Sequence, residues 1–152
     1  MKIKDKTILF FATGGFVGYI PFAPGTFGTL HGIWLYFFLY KMPFIFSVLF
    51  ISAFIIFSVL ISDKAEKING VKDPSIVVID EIAGMLITMI GIKFNFINIL
   101  TGFILFRFFD ILKPFPVYVA EKKLPGGVGI VADDVIAGIM ANLLIRFLFY
   151  LK

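Results

Sequence analysis

Two pairs of adjacent acidic residues stand at the heads of two apolar runs in this chain. Asp80 and Glu81 begin the run IDEIAGMLITMIG, and Asp133 and Asp134 begin DDVIAGIMANLL. A carboxylate in or beside hydrocarbon costs about 3 kcal/mol on insertion scales. Capping and the helix dipole explain one acid per helix start, but two adjacent acids at each of two starts exceed that need. Four converging carboxylates predict a site for a hard divalent cation, and Mg²⁺ is the leading candidate.

A glycine follows one acid of each pair at a distance of one helical turn. Gly84 comes four residues after Asp80, and Gly138 comes four residues after Asp134. Residues four apart share a helix face, and small residues allow membrane helices to approach closely. We therefore expect the two glycine faces to pack together and to bring the acid pairs near each other.

The segment FRFFDILKPFP, residues 106–116, places two cations and an acid on one helical face. Arg107, Asp110 and Lys113 follow at intervals of three, and Pro114 limits the helix at its C-terminal side. An ion pair between Arg107 and Asp110 within the helix is one interpretation, worth a few tenths of a kcal/mol in water. The other is phosphate binding, because Arg binds phosphate bidentately and Lys binds it as a point charge. Together with an acidic metal site, these residues predict phosphoryl-transfer chemistry.

Two glycine-rich turns precede predicted helices. They are APGTFGT, residues 23–29, and LPGGVG, residues 124–129. Backbone amides at such helix starts can cradle phosphate. Thr26 and Thr29 either cap the following helix or contact a ligand, and we include Thr26 among the candidate phosphate-binding residues.

Several phosphatase chemistries lack their parts here. The chain has no cysteine, His31 is its only histidine, and no D-x-D-x-T stretch supplies an aspartyl nucleophile. A thiolate nucleophile and a histidine-dependent mechanism with two histidines are thereby excluded. A metal-activated water is the most economical nucleophile that remains.

Hydropathy determines which elements must position these groups. The 152-residue chain is 60% hydrophobic, contains 21 Phe and has a mean hydropathy of +1.02. Four apolar stretches, the third broken at residues 91–96, cover residues 27–40, 43–62, 82–109 and 135–151. The second is uncharged and long enough to cross a bilayer of about 30 Å, which disfavours a buried helix of a soluble bundle. The sequence predicts one domain over residues 1–152: an all-α, integral membrane bundle with about four membrane-embedded helices plus short interfacial helices.

Charge predicts the orientation of this bundle. Two loops, residues 62–81 and 110–134, hold nine of the ten acidic and six of the fourteen basic residues, and three lysines lie at the N-terminus. The positive-inside rule places both loops and the N-terminus in the cytoplasm. The net charge of +4 fits this orientation, and no nucleic-acid partner is expected. Arg146, inside the last apolar stretch, is expected to extend toward the far interface.

The whole arrangement resembles the phosphatidylglycerophosphatase A family. The stretches that carry the resemblance are GGFVGYIPFAPGTFGTL, DPSIVVIDEIAGM, FILFRFFDILKPFPV and GGVGIVADDVIAG, in the family's order. The resemblance implies an Mg²⁺-dependent lipid phosphatase of the bacterial inner membrane. Its reaction would remove the terminal phosphate of phosphatidylglycerophosphate and leave phosphatidylglycerol. The matching positions are Asp80, Glu81, Arg107, Asp110, Lys113, Pro114, Gly129, Asp133 and Asp134.

Our hypothesis assigns a role to each candidate group. The metal ligands, direct or through water, are Asp80, Glu81, Asp133 and Asp134. Asp133 also acts as general base, and Asp110 aligns Arg107 or completes the metal shell. Arg107, Lys113 and Thr26 bind the phosphate of a phospholipid substrate in the bilayer.

Two other classes of protein remain open from the sequence. A small membrane carrier would use buried carboxylates for protons or cations, and it explains Arg107 and Lys113 poorly. A structural membrane subunit leaves both acid pairs unexplained. Divalent metal discriminates between the classes, because only the phosphatase requires it for turnover.

Overall fold

The structure, a computed structural model, describes residues 3–149, and this range contains helices and no strand. The all-α prediction is confirmed; its outermost positions, residues 1–2 and 150–152, lie outside the described residues. A short 3₁₀ helix, Val17–Tyr19, follows the first of seven α-helices. The α-helices are α1 Ile3–Ala12, α2 Pro24–Leu39, α3 Phe44–Asn69, α4 Ile79–Met89, α5 Phe96–Leu112, α6 Val117–Lys123 and α7 Gly126–Phe149.

Local chemistry explains where several helices begin and end. Pro24 occupies the first turn of α2, where its missing N–H costs nothing. Gly70 ends α3 with a φ of 68°, the left-handed conformation that glycine adopts most easily. The side chain of Asn95 accepts a hydrogen bond of 2.9 Å from the N–H of Asn98 and so caps α5.

The long helices alternate in direction, so the bundle has two distinct ends. One end gathers the starts of α2, α4 and α7 with the ends of α3 and α5, and it includes both charged loops. At the opposite end, Ser47 Oγ donates to the carbonyl of Leu39 over 3.0 Å. There, too, the hydroxyl of Tyr36 donates to the carbonyl of Ile92 over 3.0 Å. The charged loops therefore share one end of the molecule, as the sequence predicts.

Two helices within residues 3–149 are long and apolar enough to cross a membrane. They are α3, with a hydropathy of 2.9 and 26 residues, and α7, with a hydropathy of 1.9 and 24 residues. A helix of that length spans about 36–39 Å. The other predicted apolar stretches form shorter helices: α2 has 16 residues, α4 has 11 and α5 has 17. The break predicted at residues 91–96 lies between α4 and α5, which form a hairpin.

The crossing of α4 and α7 forms the centre of the bundle. A Cβ added to Gly138 would overlap the carbonyl oxygen of Gly84, and one added to Gly84 would lie 2.8 Å from the carbonyl oxygen of Asp134. The predicted packing of the two glycine faces is confirmed. α7 also contacts α3, α5 and α6, and more than half of its most apolar window is buried inside the protein (56%).

Arg146, near the end of α7, bonds to groups of the protein at the end of the bundle opposite the charged loops. Its guanidinium donates to the side-chain oxygen of Asn142 over 2.7 Å and to the carbonyl of Ile90 over 2.9 Å. The amide of Asn142 in turn donates to the carbonyls of Ile87, Thr88 and Ile90. The last carbonyls of a helix have no hydrogen-bond donors within that helix. For the short helix α4, side chains of α7 provide these donors.

Candidate active site

A polar cleft of about 300 Å³ opens at the charged end of the bundle. Its walls come from the starts of α2, α4 and α7, the end of α5 and the loop before α4. Six acids and two cations line it: Asp73, Asp80, Glu81, Asp110, Asp133, Asp134, Arg107 and Lys113. The fold thus brings together every charged residue that the sequence analysis selected for the site.

Three of the acids form a cluster in which a metal ion fits. One carboxylate oxygen from each of Asp80, Glu81 and Asp134 lies within 4.8 Å of the others. Asp80 is 6% exposed and Asp134 3% exposed. Asp80 Oδ1 and Glu81 Oε2 are buried without a hydrogen-bond partner. Buried, unpaired carboxylate oxygens are costly, and a cation between them removes that cost.

Close helix packing sets the positions of these acids. The contact of Gly84 with the backbone of Asp134 places the first turn of α4 against α7. On the other side, a Cβ on Gly25 would overlap Glu81 Oε1 and lie 3.1 Å from Arg107 Nη1. The missing side chain of Gly25 lets the first turn of α2 lie directly against the carboxylate of Glu81 and the guanidinium of Arg107 as they are placed here.

Asp133 lies beside the cluster and has different partners. Its Oδ2 accepts a hydrogen bond from Lys113 Nζ, and its Oδ1 accepts one of 3.0 Å from the N–H of Asp134. Lys113 Nζ also lies 3.7 Å from Glu121 Oε1. Burial alone would lower the pKa of Lys113, but the hydrogen bond and the charge of Asp133 outweigh burial and raise that pKa above its ordinary value.

Arg107 forms the predicted ion pair and keeps a free donor. Its Nη1 donates to Asp110 Oδ2, whereas its Nε is buried without a hydrogen-bond partner. The pair therefore exists, but it uses only part of the guanidinium. A buried N–H without a partner is costly, so this donor is left available for an acceptor that the protein does not itself supply.

The backbone is strained where it borders the cleft. Four non-glycine residues between positions 3 and 149 have positive φ, and Ala23, Asp73 and Lys113 are three of them. All three line the cleft. Non-glycine residues in the left-handed region cost of order 1 kcal/mol each, and such strain is concentrated at functional sites.

Asp73 is a cleft residue that the sequence analysis did not select. The residue as a whole is exposed, but its carboxylate lies among the other acids of the cleft. Partial desolvation raises the pKa of Asp73, and the charges of Glu121 and Glu66 raise it further, whereas Lys113 acts in the opposite sense. Its only sequence signal was an acid before Pro74 in a charged loop.

The two glycine-rich turns, residues 23–29 and 124–129, were considered as phosphate-binding segments from the sequence, and the structure gives each of them neighbours within the protein. Pro24 and Gly25 line the cleft, but Thr26 is not among the lining residues. Thr29 is buried inside α2 and donates to the carbonyl of Gly25 over 2.8 Å. In the second turn, a Cβ on Gly126 would lie 2.6 Å from Asp63 Oδ1. A carboxylate of the protein thus occupies the space beside Gly126 at the start of α7.

Comparison with known proteins identifies the family. Residues 10–149 match the family model of phosphatidylglycerophosphatase A. A Haemophilus influenzae protein with that name is 38% identical over 142 residues, covering 88% of this chain and 83% of its own. An Escherichia coli protein with that name is 31% identical over 138 residues, covering 90% of this chain and 80% of its own.

A third relative carries a different name. This Bacteroides thetaiotaomicron protein, named as a candidate phosphatidylinositol-3-phosphatase, is 37% identical over 153 residues and covers 95% of both chains. No solved structure matches the chain. Since the family match covers most of the sequence, including every charged residue of the cleft, the chain belongs to the phosphatidylglycerophosphatase A family of phosphatases.

Proposed function

We propose that this chain is an Mg²⁺-dependent membrane enzyme that hydrolyses phosphatidylglycerophosphate to phosphatidylglycerol and phosphate. One observation carries the proposal: a cluster of three acids with unpartnered buried oxygens shares a cleft with Arg107 and Lys113. Oxygen ligands suit Mg²⁺, and the two cations suit the phosphate that arrives beside it. The names of the Haemophilus and Escherichia relatives support the choice of substrate.

The acids divide into two groups in this proposal. Asp80, Glu81 and Asp134 would hold Mg²⁺, and Asp133 beside them would contribute to the site through water. When bound, Mg²⁺ neutralises charge on the phosphate and makes a water molecule more acidic. Buried carboxylates that repel one another hold such a cation well, because removing it restores their repulsion.

The remaining steps belong to the side chains of the cleft. Arg107, oriented by Asp110, and Lys113 bind the phosphate, and Gly25 at the start of α2 borders the same space. A phosphate that draws Lys113 away frees Asp133 Oδ2, the atom that now accepts from it. Asp133 then takes a proton from the attacking water as general base. The water oxygen joins phosphorus, the bond to the glycerol oxygen breaks, and the proton passes to that oxygen.

We place the whole chain, residues 1–152, in the bacterial inner membrane as one domain. About four embedded segments follow from the apolar helices: α2, α3, the α4–α5 hairpin and α7, with α1 and α6 near the interface. The cleft faces the cytoplasm, because the lysine-bearing loops lie at its end of the bundle. The headgroup of a phospholipid then reaches the cleft while its acyl chains stay in the bilayer.

The first experiment measures phosphate release from phosphatidylglycerophosphate by the purified protein in detergent. We expect release with Mg²⁺ and none with excess chelator. Asp134→Asn should lower kcat/KM at least about 100-fold. Mutating residues that only hydrogen-bond to metal ligands already lowers metal affinity or activity about 10–100-fold. Asp5→Asn, an acid in α1 outside the cleft, is the matched control and should retain activity.

The opposite result would overturn the proposal. Folded protein that releases no phosphate under any condition is not this phosphatase, and the cation-carrier interpretation then takes its place. Release that persists in chelator would contradict the metal site while leaving the phosphatase activity.

A further inference from the structure

Two apolar grooves lie side by side on the outer surface of α2. The first, of about 320 Å³, lies between α1, α2 and α3, with the start of α4 behind it. The second, of about 330 Å³, lies between α2 and the segment that contains the 3₁₀ helix. Both are lined by His31 and Trp34, whose rings pack edge to face with centroids 5.8 Å apart. These two residues form a shared wall, so occupants of the two grooves would lie next to each other.

The shared wall carries the polar side chains of both grooves. Every other lining residue is apolar or glycine. The imidazole of His31 and the indole of Trp34 each have at least one N–H donor, whichever ring nitrogen of His31 bears the hydrogen. Within residues 3–149 neither side chain forms a hydrogen bond. Both donors are therefore available to the acceptors of a ligand.

Helix α2 connects the shared wall to the active-site cleft. Gly25, in its first turn, lines the cleft, whereas His31 lies six residues further along and Trp34 nine. At 1.5 Å per residue, these two residues stand about 9 Å and about 14 Å from Gly25 along the helix axis. α4 links the same two places, since Ile79 lines the first groove and Asp80 lines the cleft. A ligand with its phosphate in the cleft and its apolar part along α2 would reach the shared wall.

We propose that the two grooves hold the two acyl chains of one substrate lipid, and that His31 and Trp34 donate to its ester carbonyls. This inference rests on the proposed function and concerns the part of the substrate that lies outside the cleft. The acyl chains of a phospholipid start from adjacent glycerol carbons, each through an ester whose carbonyl oxygen accepts hydrogen bonds. The structure has two adjoining grooves with two donors between them. The headgroup separates the esters from the terminal phosphate, as the first turns of α2 separate the wall from the cleft.

The donors distinguish this site from the rest of the lipid-facing surface. Acyl chains in a bilayer are already out of water, so an apolar groove alone offers them little gain in free energy. Hydrogen bonds to ester carbonyls add a specific attraction, which is electrostatically stronger in an apolar environment than in water. This attraction is the same before and during the reaction, so it should lower KM without changing kcat.

The test is the double variant His31→Phe/Trp34→Phe, which keeps aromatic rings in the wall and removes both donors. It is assayed in mixed micelles containing Mg²⁺ with phosphatidylglycerophosphate and with its diether analogue, which has no ester carbonyls. We expect KM for the diester to rise about tenfold with kcat unchanged, because two neutral hydrogen bonds are lost. The constants for the diether should be the same as in the wild type, which also shows that the variant is folded. Tyr40→Phe is the matched control, since it removes a polar aromatic group at the end of α2 that lines neither groove.

A second variant tests the grooves apart from the donors. Trp34→Ala removes much of the shared wall and should raise KM for the diester and the diether alike. The water-soluble headgroup without acyl chains, measured as a substrate or as a competitive inhibitor, should bind Trp34→Ala as it binds the wild type. Weaker binding of that headgroup would mean that the substitution disturbs the cleft, and it would overturn the assignment of the chains to the grooves.

Other results would overturn the inference directly. An unchanged KM for the diester in the double variant, or an equal rise for the diether, would show that the donors do not bind the esters. The same rise in Tyr40→Phe would show a general effect of changing α2. An unchanged KM in Trp34→Ala would show that the grooves hold only bulk lipid.

Failure of the proposed function has a different signature. The wild-type protein would then release no phosphate from the diester or the diether, and this inference would fall with that function. The inference alone fails when the wild-type enzyme is active and the His31 and Trp34 variants show no selective change in KM.

Discussion

In the guanidinium of Arg107, Nη1 donates a hydrogen bond and Nε has no hydrogen-bond partner. Asp110 accepts from Nη1. A planar guanidinium can hold Asp110 and a phosphate at once, whereas a lysine ammonium at this position is a single point charge. We therefore expect the proposed reaction to need the shape of the arginine side chain as well as its charge.

We predict that Arg107→Lys lowers kcat/KM about 100-fold, nearly as much as Arg107→Gln. The physical reason is that Lys keeps the charge but cannot orient between Asp110 and the phosphate. Steady-state kinetics of both variants with phosphatidylglycerophosphate provide the check. Near-wild-type kinetics for Arg107→Lys would show that charge alone is needed.

The acid cluster of the site was predictable from pairs of neighbouring residues. Asp80 and Glu81 are neighbours in the first turn of α4, as the sequence predicts. Asp133 and Asp134 were expected at a helix start, but α7 begins at Gly126 and places them about two turns inside the helix, where capping does not explain them. Asp73 was not predictable, because its place in the cleft depends on a φ of 47° in a loop. The pairing of Lys113 with Asp133 was also out of reach, since it joins positions twenty residues apart through the bend after α5.

At the scale of elements, the active site depends on how closely α4 approaches α7. Gly138 packs directly against the backbone of Gly84, one turn from Asp134 and Asp80. Any side chain at Gly138 must push the helices apart and widen the acid cluster. Ile139, the next residue, is exposed on the outside of α7 and has no such constraint.

We predict that Gly138→Leu destabilises the protein by about 2 kcal/mol and abolishes phosphate release, because overpacking costs about 1–3 kcal/mol. Ile139→Leu is the matched control and should leave both properties unchanged. Thermal unfolding in detergent and the phosphate assay measure the two effects. Wild-type activity in Gly138→Leu would show that the helix crossing does not position the acids.

The sequence predicted the glycine contact but not how the short helix α4 ends. Glycines one turn after acids indicate a shared face, and this rule applies locally. The carbonyls at the end of α4 are bound by Asn142 and Arg146, more than fifty residues further along the chain. Such a contact depends on the register of α7 against α4, which hydropathy does not determine.

At the scale of the whole molecule, two ends of different character define the orientation. The cleft end holds the charged loops, and the opposite end holds the short connections after α2 and α4. The chain has no cysteine, so single cysteines can report which side of the membrane each end faces. Val71, 61% exposed, marks the cleft end, and Met42, 50% exposed, marks the other.

We predict that a membrane-impermeant maleimide labels Met42→Cys in spheroplasts, and labels Val71→Cys only after the membrane is opened. The reason is that the positive-inside rule holds the lysine-bearing end in the cytoplasm. Labelling of both cysteines from the same side would contradict a bundle that crosses the membrane. Labelling of Val71→Cys alone from outside would reverse its orientation.

The outward face of α3 has a consequence for how this sequence can change over generations. Phe46, Leu49, Ile56 and Leu60 are each more than half exposed, and only 22% of the most apolar window of α3 is buried. If liquid acyl chains surround this face, as we propose, they adapt to any side-chain outline, so selection there acts on apolarity and not on shape. The codons of Phe, Leu, Ile, Met and Val share uracil at the second position. First-position mutations on this face therefore exchange one of these side chains for another, and neutral drift should be fastest along it.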